Sequence, residues 1–488
     1  MLSRSFFPES QQSDVLAYSP MFHARLFGES QKYHDTHFQP TKPGAGDHFL
    51  DGNPAIDRPL FVQFCANDPQ ALLDAAKRAA PYCDAVDLNL GCPQGIAKKG
   101  HYGAFLQENQ DLVHRLIKNL HENLDIPVTA KIRMLDTREA TLKYAQNVLS
   151  AGASILTVHG RLREQKGHLT GLADWQMIRY LRDNLPPETV LFANGNILQH
   201  EDVEKCLAAT GADGVMSAEG NLSNPAIFAP PPPAGQEPRG YWRGRDGKGG
   251  WRVDEVFRRY LDILHTHVLG ATPPPRRPLF VPGDDQAWMA EAIALPGQGA
   301  DAKPRKKRSD AAKENPALMA ANFTAMQPHL FHLLRHFVSR HTDVRDALAR
   351  ARTGDLDAYE AIYAMVERRT AEGLLEYERT GGASVEAELP PAAAEGEEDD
   401  PESSARAVRE CKRPWWVVQP IIRPLPKEAM AKGAIQPSKK ERKRAAAEME
   451  GKDEGQTAKR AKEGAATAAA TESLEKTTSY PSSELVSG

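Results

Sequence analysis

The chain has 488 residues, of which 41% are hydrophobic and 26% charged, which supplies a sizeable core and excludes a small disulfide-stapled scaffold. Its 61 Lys and Arg against 65 Asp and Glu leave a net charge of -4, so bulk charge argues against a general nucleic-acid or membrane-binding surface, and any basic site has to be local. Five scattered cysteines (Cys65, Cys83, Cys92, Cys206, Cys411) fit a reducing compartment.

The N-terminal MLSRSFF meets Pro8 and Glu9 with no apolar signal region, and no uncharged apolar run reaches the ~18 residues of a spanning helix. The expectation is a soluble, intracellular protein without a membrane, metal or obligate protein partner. Between residues 15 and 228 one rhythm repeats: an aliphatic or β-branched run, a polar cluster, then an amphipathic stretch. That is the pattern of βα units on a parallel sheet. The runs are VLAYSPMF (15–22), LFVQFCA (60–66), AVDLNLGCP (85–93), PVTAKIR (127–133), SILTVHGR (154–161), VLFANGN (190–196) and GVMSAEG (214–220). Helix starts stand between them at Asp68-Pro69, Thr137 and Asp174.

Six of these runs carry polar residues at their C-terminal ends, namely Gln63, Asn89 with Cys92, Lys131 with Arg133, His159 with Arg161, Asn194 with Asn196, and Ser217 with Glu219. In a TIM (β/α)8-type barrel those ends form one face, where the chemistry is built. Seven strands are identifiable and about 14 residues precede the first, so the first βα unit is missing or the sheet is open.

After the barrel (1–228) the Pro/Gly/Arg-rich stretch 229–252 reads as a linker. Residues 253–370 read as a small all-α domain with a Pro-rich basic insertion at 270–315, and 371–488 as a mostly disordered tail containing the apolar island WWVVQPIIRP (415–424). KKERKR (439–444) and KRAK (459–462) read either as a two-part nuclear import signal or as a solvated charged tail.

Among the chemistry-bearing residues, Cys92 lies in a Gly/Pro-bounded loop at the active face, unlike Cys65, Cys83 and Cys206, which read as packing residues. Lys131 sits inside an apolar strand, where an ammonium needs an anionic or electron-rich partner; a lysine snorkelling from the strand end is the plain alternative. His159 and Arg161 at a strand tip suit a cofactor phosphate or RNA, with a satisfied core histidine as the plain alternative. The small residues of Ala193-Asn194-Gly195-Asn196 and Ser217-Ala218-Glu219-Gly220 end the last two strands with free N–H groups, at positions that often bind phosphate in barrels.

LFVQFCANDP, DLNLGCPQGIAKKGHYGAFL, TAKIR, TVHGR, FANGNI and GVMSAEGNLSNPAIF together resemble the tRNA-dihydrouridine synthases, specifically the eukaryotic branch acting on the D-loop. The resemblance implies FMN-dependent, NAD(P)H-driven reduction of the uracil 5,6 double bond in tRNA, with Cys92 protonating the neighbouring carbon. It further implies that Gln63 and Lys131 contact the isoalloxazine ring, His159 its ring or ribityl side, and Asn194, Gly195, Asn196, Ala218 and Glu219 the phosphate end. Asn89, Lys98, Lys99 and Arg161 are the expected substrate contacts, and the expected localisation is cytoplasmic, nuclear or both. A thiol whose ordinary pKa is about 8.5 is mostly protonated at neutral pH and suits the donor role. Two rival expectations are a non-catalytic RNA-binding remnant unable to hold FMN and an FMN barrel acting on a free pyrimidine.

Overall fold

A computed structural model describes residues 1–42, 44, 46–295, 321–390, 403–420 and 430. Its main sheet runs through β1 (Ala17–Tyr18), β2 (Phe22–His23), β3 (Leu60–Cys65), β4 (Ala85–Leu90), β5 (Val128–Arg133), β6 (Ile155–His159), β7 (Val190–Asn194) and β8 (Gly214–Met216). All pairings are parallel, and β1 and β2 both pair with β3. They are therefore two pieces of one strand, giving the seven strand positions read from the sequence. Pro20 lacks an N–H and breaks the ladder between them. The neighbouring Ser19 bridges the gap: its N–H donates to Phe61 O (2.9 Å) and its hydroxyl accepts from Gln63 N (3.0 Å).

Crossover helices Pro69–Ala79, Gln110–Asn123, Arg138–Ser150, Trp175–Asn184 and Glu201–Thr210 cover the outside of the sheet. Three start as the sequence indicates, with Asp68, Thr137 and Asp174 side chains accepting from Ala71, Ala140 and Met177 N–H groups. Every residue of β3, β4 and β5 is buried, yet the strands alternate in character. Val62, Phe64, Val86, Leu88, Leu90, Ala130 and Ile132 enter the apolar core, while Gln63, Asp87, Asn89, Thr129, Lys131 and Arg133 take the other face. The result is an open half-barrel of TIM type with a polar interior. Among the described residues nothing pairs with the outer edge of β1 or β8.

Residues 229–252, read as a linker, contain an antiparallel hairpin, β9 (Tyr241–Arg243) and β10 (Gly249–Trp251), turned at Asp246-Gly247. The helix Val253–Ile263 then packs with Ala321–Leu333, Arg335–Arg340, Thr342–Arg350 and Leu356–Arg379 around Val256, Phe257, Leu330, Phe337, Ile362 and Val366. The last of these helices runs past residue 370. Gly373 on it leaves room for the Trp415-Trp416 pair: a Cβ there would stand 2.6 Å from the Trp416 ring and 2.8 Å from the Trp415 ring. The described part of the apolar island, 415–420, thus packs on the helical core, and residues 421–424 and the KKERKR and KRAK stretches lie outside the described residues. Arg259 ties the helical layer to the N-terminal turn Arg4–Phe6, donating to Ser5 O and lying over the Phe6 ring at 4.5 Å, and Arg4 of that turn donates to Pro59 O (2.6 Å) just before β3. No helix among the described residues is long and apolar enough to cross a membrane.

Candidate active site

The parallel register places Gln63 beside Asp87, Asp87 beside Thr129, Asn89 beside Lys131, Arg133 beside His159, and His159 beside Asn194. Side chains two residues apart on a strand share a face, so these groups stack in layers toward the C-terminal mouth. Hydrogen bonds join the lower layers. Thr129 Oγ1 donates to Asp87 Oδ1 (2.7 Å), Gln63 Nε2 to Asp87 Oδ2 (2.8 Å), and Asn89 Nδ2 to Gln63 Oε1 (2.8 Å). Asn89 Oδ1 then accepts from the backbone N–H groups of Gly91 (3.0 Å) and Cys92 (2.9 Å). Cys92, 5% exposed, lies against Cys65, Ala97 and Tyr102, with Met21 and Phe105 alongside. Gly103, at φ +63°, lets the chain pass directly over it, since a Cβ there would sit 2.8 Å from Cys92 O.

The upper layer is cationic. Burial pulls the Lys131 ammonium down to a pKa of about 8, and Arg133 adds to this, while Asp87 and Cys92 oppose it. The Lys131 side chain makes no hydrogen bond among the described residues. Arg133 is a brace: its Nε donates to Gly91 O (2.8 Å) and its Nη1 to Leu162 O (2.7 Å), tying the loop after β4 to that after β6. Burial holds His159 well below the usual imidazole range, reinforced by Lys131, Arg133 and Arg161, so its ring is neutral. Arg161 Nη1 lies 3.0 Å from His159 Nε2, and a guanidinium only donates, which places the ring proton on Nδ1.

The loops after β7 and β8 interlock. Asn194 Nδ2 donates to Met216 O (3.0 Å), Ser217 Oγ to Ile197 O (2.8 Å), and Trp175 Nε1 to Gly195 O (3.0 Å). Gly195 adopts φ +115°, and a Cβ on it would meet Ala173 Cβ at 2.6 Å. Ala218 and Glu219 are half-buried at the start of the short helix Glu219–Ser223. Lys98 and Lys99 are exposed on the helix Gly95–Gly100, immediately after the Cys92 loop.

Of the residues singled out in the sequence, Gln63, Asn89, Cys92, Lys131, His159 and Asn194 form one buried assembly, and Gly195, Asn196, Ala218 and Glu219 occupy the adjoining loops. Arg161 is turned inward: it donates to Gly171 O (2.9 Å) and Asn196 Oδ1 (2.6 Å), so the guanidinium braces the mouth. Sequence reasoning missed Asp87, Thr129 and Tyr102. The period-2 alternation was the available signal for the first two, since Asp87 shares a face with Asn89 and Thr129 with Lys131.

Residues 4–237 match the family model described as dihydrouridine synthase (Dus). The chain is 43% identical over 414 residues to the tRNA-dihydrouridine(16/17) synthase [NAD(P)(+)] of Schizosaccharomyces pombe, covering 84% of this chain and 82% of that one. The chain belongs to the dihydrouridine synthase family. It is also 47% identical to the tRNA-dihydrouridine(16/17) synthase [NAD(P)(+)] of Saccharomyces cerevisiae, over 69% of this chain and 63% of that one. With the corresponding protein of Rattus norvegicus, "tRNA-dihydrouridine(16/17) synthase [NAD(P)(+)]-like", the identity is 35%, over 90% of this chain and 75% of that one. The family match spans the half-barrel and its polar mouth, and ends before the hairpin at 241–251. The rat match reaches into the helical layer and beyond by its length.

Proposed function

We propose that this chain is an FMN-dependent tRNA-dihydrouridine(16/17) synthase that uses NAD(P)H to reduce the uracil 5,6 double bond in the D-loop. The observation that carries the reading is the convergence, in one buried mouth, of a thiol held by its backbone and an ammonium without a hydrogen-bond partner. The residues present fit a flavin. Lys131 Nζ and the buried, unpartnered Asn194 Oδ1 are a cationic donor and an acceptor awaiting a polar ring system. Gly195 and the tightly folded loops after β7 and β8 suit its phosphate end. When bound, FMN takes reducing equivalents from NAD(P)H and supplies the hydride.

The chain's own residues do the rest. Lys131 binds and orients the electron-rich ring, and its charge favours electron density on its partner. Neutral His159 holds a proton on Nδ1, which it can donate without adding charge to an already cationic layer. Cys92 holds the proton at Sγ that passes to the uracil carbon next to the one receiving hydride. A stacked uridine cannot reach this recess, so the base is turned out of the tRNA loop, and exposed Lys98 and Lys99 meet the backbone phosphates beside it.

The test is a single-turnover assay: flavin reduced in the purified protein is reoxidised by unmodified tRNA. Cys92→Ala keeps the flavin absorbance and slows reoxidation by about 10²–10⁴-fold. An unchanged rate overturns the acid role of Cys92, and a colourless wild-type protein overturns the flavin assignment.

A further inference from the structure

The chain of hydrogen bonds beneath Cys92 has a direction, and both of its ends dictate the same one. At the upper end the Gly91 and Cys92 backbone N–H groups can only donate, so Asn89 must turn Oδ1 toward them and Nδ2 toward Gln63. Gln63 must then offer Oε1 to Asn89 and Nε2 downward. At the lower end an ionised carboxylate only accepts, and Asp87 takes that Nε2 on one oxygen and the Thr129 hydroxyl on the other. Asp87 is 0% exposed, and desolvation raises its pKa, opposed by its bonds to Thr129 and Gln63 and by nearby Lys131. A buried carboxylate here is costly compared with a threonine or an asparagine, and packing alone does not require it.

We propose that Asp87 and Asn89 are paired positioning residues: a group at 87 that accepts from Gln63 holds the relay in the direction in which Asn89 accepts from the Gly91 and Cys92 N–H groups, and so fixes the loop that carries the Cys92 thiol. This rests on the reading of Cys92 as proton donor only for its functional meaning; the placement of the thiol is separately measurable. Because the relay is a series of amides, its direction is reversible on paper. In Asn89→Asp both upper oxygens accept, so Gln63 has to flip to donate upward and then turns Oε1 against the Asp87 carboxylate. Adding Asp87→Asn removes the conflict. Asn at 87 accepts from Thr129 and donates to the flipped Gln63, Gln63 donates to Asp at 89, and that carboxylate still accepts from the Gly91 and Cys92 N–H groups. Every bond is restored with the direction of its middle section inverted and the net charge unchanged.

The experiment measures alkylation of Cys92 by iodoacetamide in the purified full chain with its flavin, read peptide by peptide by mass spectrometry so that the other four cysteines are counted separately. Asn89→Asp is expected to speed alkylation of Cys92 on the order of 10–100-fold, the equivalent of one buried polar group left unsatisfied. The double variant Asn89→Asp/Asp87→Asn is expected to return within about threefold of wild type, and Asp87→Asn alone stays there too, because Asn can still accept from Gln63. Wild-type alkylation in Asn89→Asp, or a double variant no slower than Asn89→Asp, overturns the proposal. Where Asn89→Asp does not fold, recovery of a folded, slowly alkylated protein in the double variant supports the relay and failure of both overturns it. If Cys92→Ala retains full turnover while the alkylation pattern holds, the acid role falls and the relay stands.

Discussion

The two sides of the half-barrel differ in how they carry polarity. From β3 to β7 every strand has a neighbour on each side, and deep in the interior Gln63, Asp87 and Thr129 share a register level and complete each other's hydrogen bonds. At β8 all three residues are half-buried, and Asn194 Oδ1 on β7 is buried without a partner. An interior strand meets two neighbours at each level and an edge strand one, so a dense internal network forms only in the middle of the sheet. The Gln63–Asp87–Thr129 level can therefore fix a reactive group, whereas nearer the mouth Thr157 Oγ1 on β6 and Asn194 Oδ1 on β7 are buried without a partner, and β8 is packed on one side only.

The sharpest way to break this contrast is to remove packing in the middle of the sheet. Leu156→Ala, at a fully buried position on β6, is expected to cost about 2–5 kcal/mol in urea unfolding. A cost below 1 kcal/mol would mean that the middle of the sheet is no better packed than the edge.

Next in size is Lys131. Its folded pKa of about 8 lies below the ordinary 10.5, so between those values the unfolded chain holds more protons than the folded one. Stability is fully present above about 10.5 and is lost as pH falls through about 8, a difference on the order of 3 kcal/mol. Lys131→Met should therefore raise the unfolding midpoint at pH 7, with the gain shrinking toward pH 10.5, and should weaken flavin retention. An unchanged midpoint at both pH values would show that burial does not strain this lysine.

Gly195→Ala is expected to cost about 1–3 kcal/mol, since φ +115° and the 2.6 Å approach to Ala173 both oppose a Cβ. Its effect on flavin binding should exceed that of a core change of equal stability cost, measured by flavin dissociation. Smallest is Val215→Ala on β8, expected below about 1 kcal/mol because the side chain is already half-exposed. A loss equal to that of Leu156→Ala would erase the distinction between the two sides.

Much of the architecture was legible because burial on two faces leaves a period-2 trace. Gln63, Asn89, Lys131, His159 and Asn194 stand out as polar residues at the ends of apolar runs, and the structure gathers all five. Asp87 was passed over because it sits one layer deeper, inside a run that otherwise reads as core. Arg161 is an expected substrate contact from its strand-tip position, and the structure adds that His159, Gly171 and Asn196 hold its guanidinium at the mouth, none of which is implied by its place in the chain. The hairpin at 241–251 reads as linker because Gly and Arg dominate it and a Pro-rich stretch precedes it, although Asp246-Gly247 is a turn signal. Trp415 and Trp416 gave no sign of their partner, since Gly373 receives them only after the helix Leu356–Arg379 has formed.

Local chemistry in the chain was enough to set the strand faces, the helix starts at Asp68, Thr137 and Asp174, and the mouth where polar ends collect. The tertiary structure alone decided which of those polar groups bond to which, and in what direction. Asp87 meets Gln63 across 24 residues and Thr129 across 42, and at such separations the partner is chosen by strand register. A donor and an acceptor recognise each other over about 3 Å, a distance that sequence spacing does not encode.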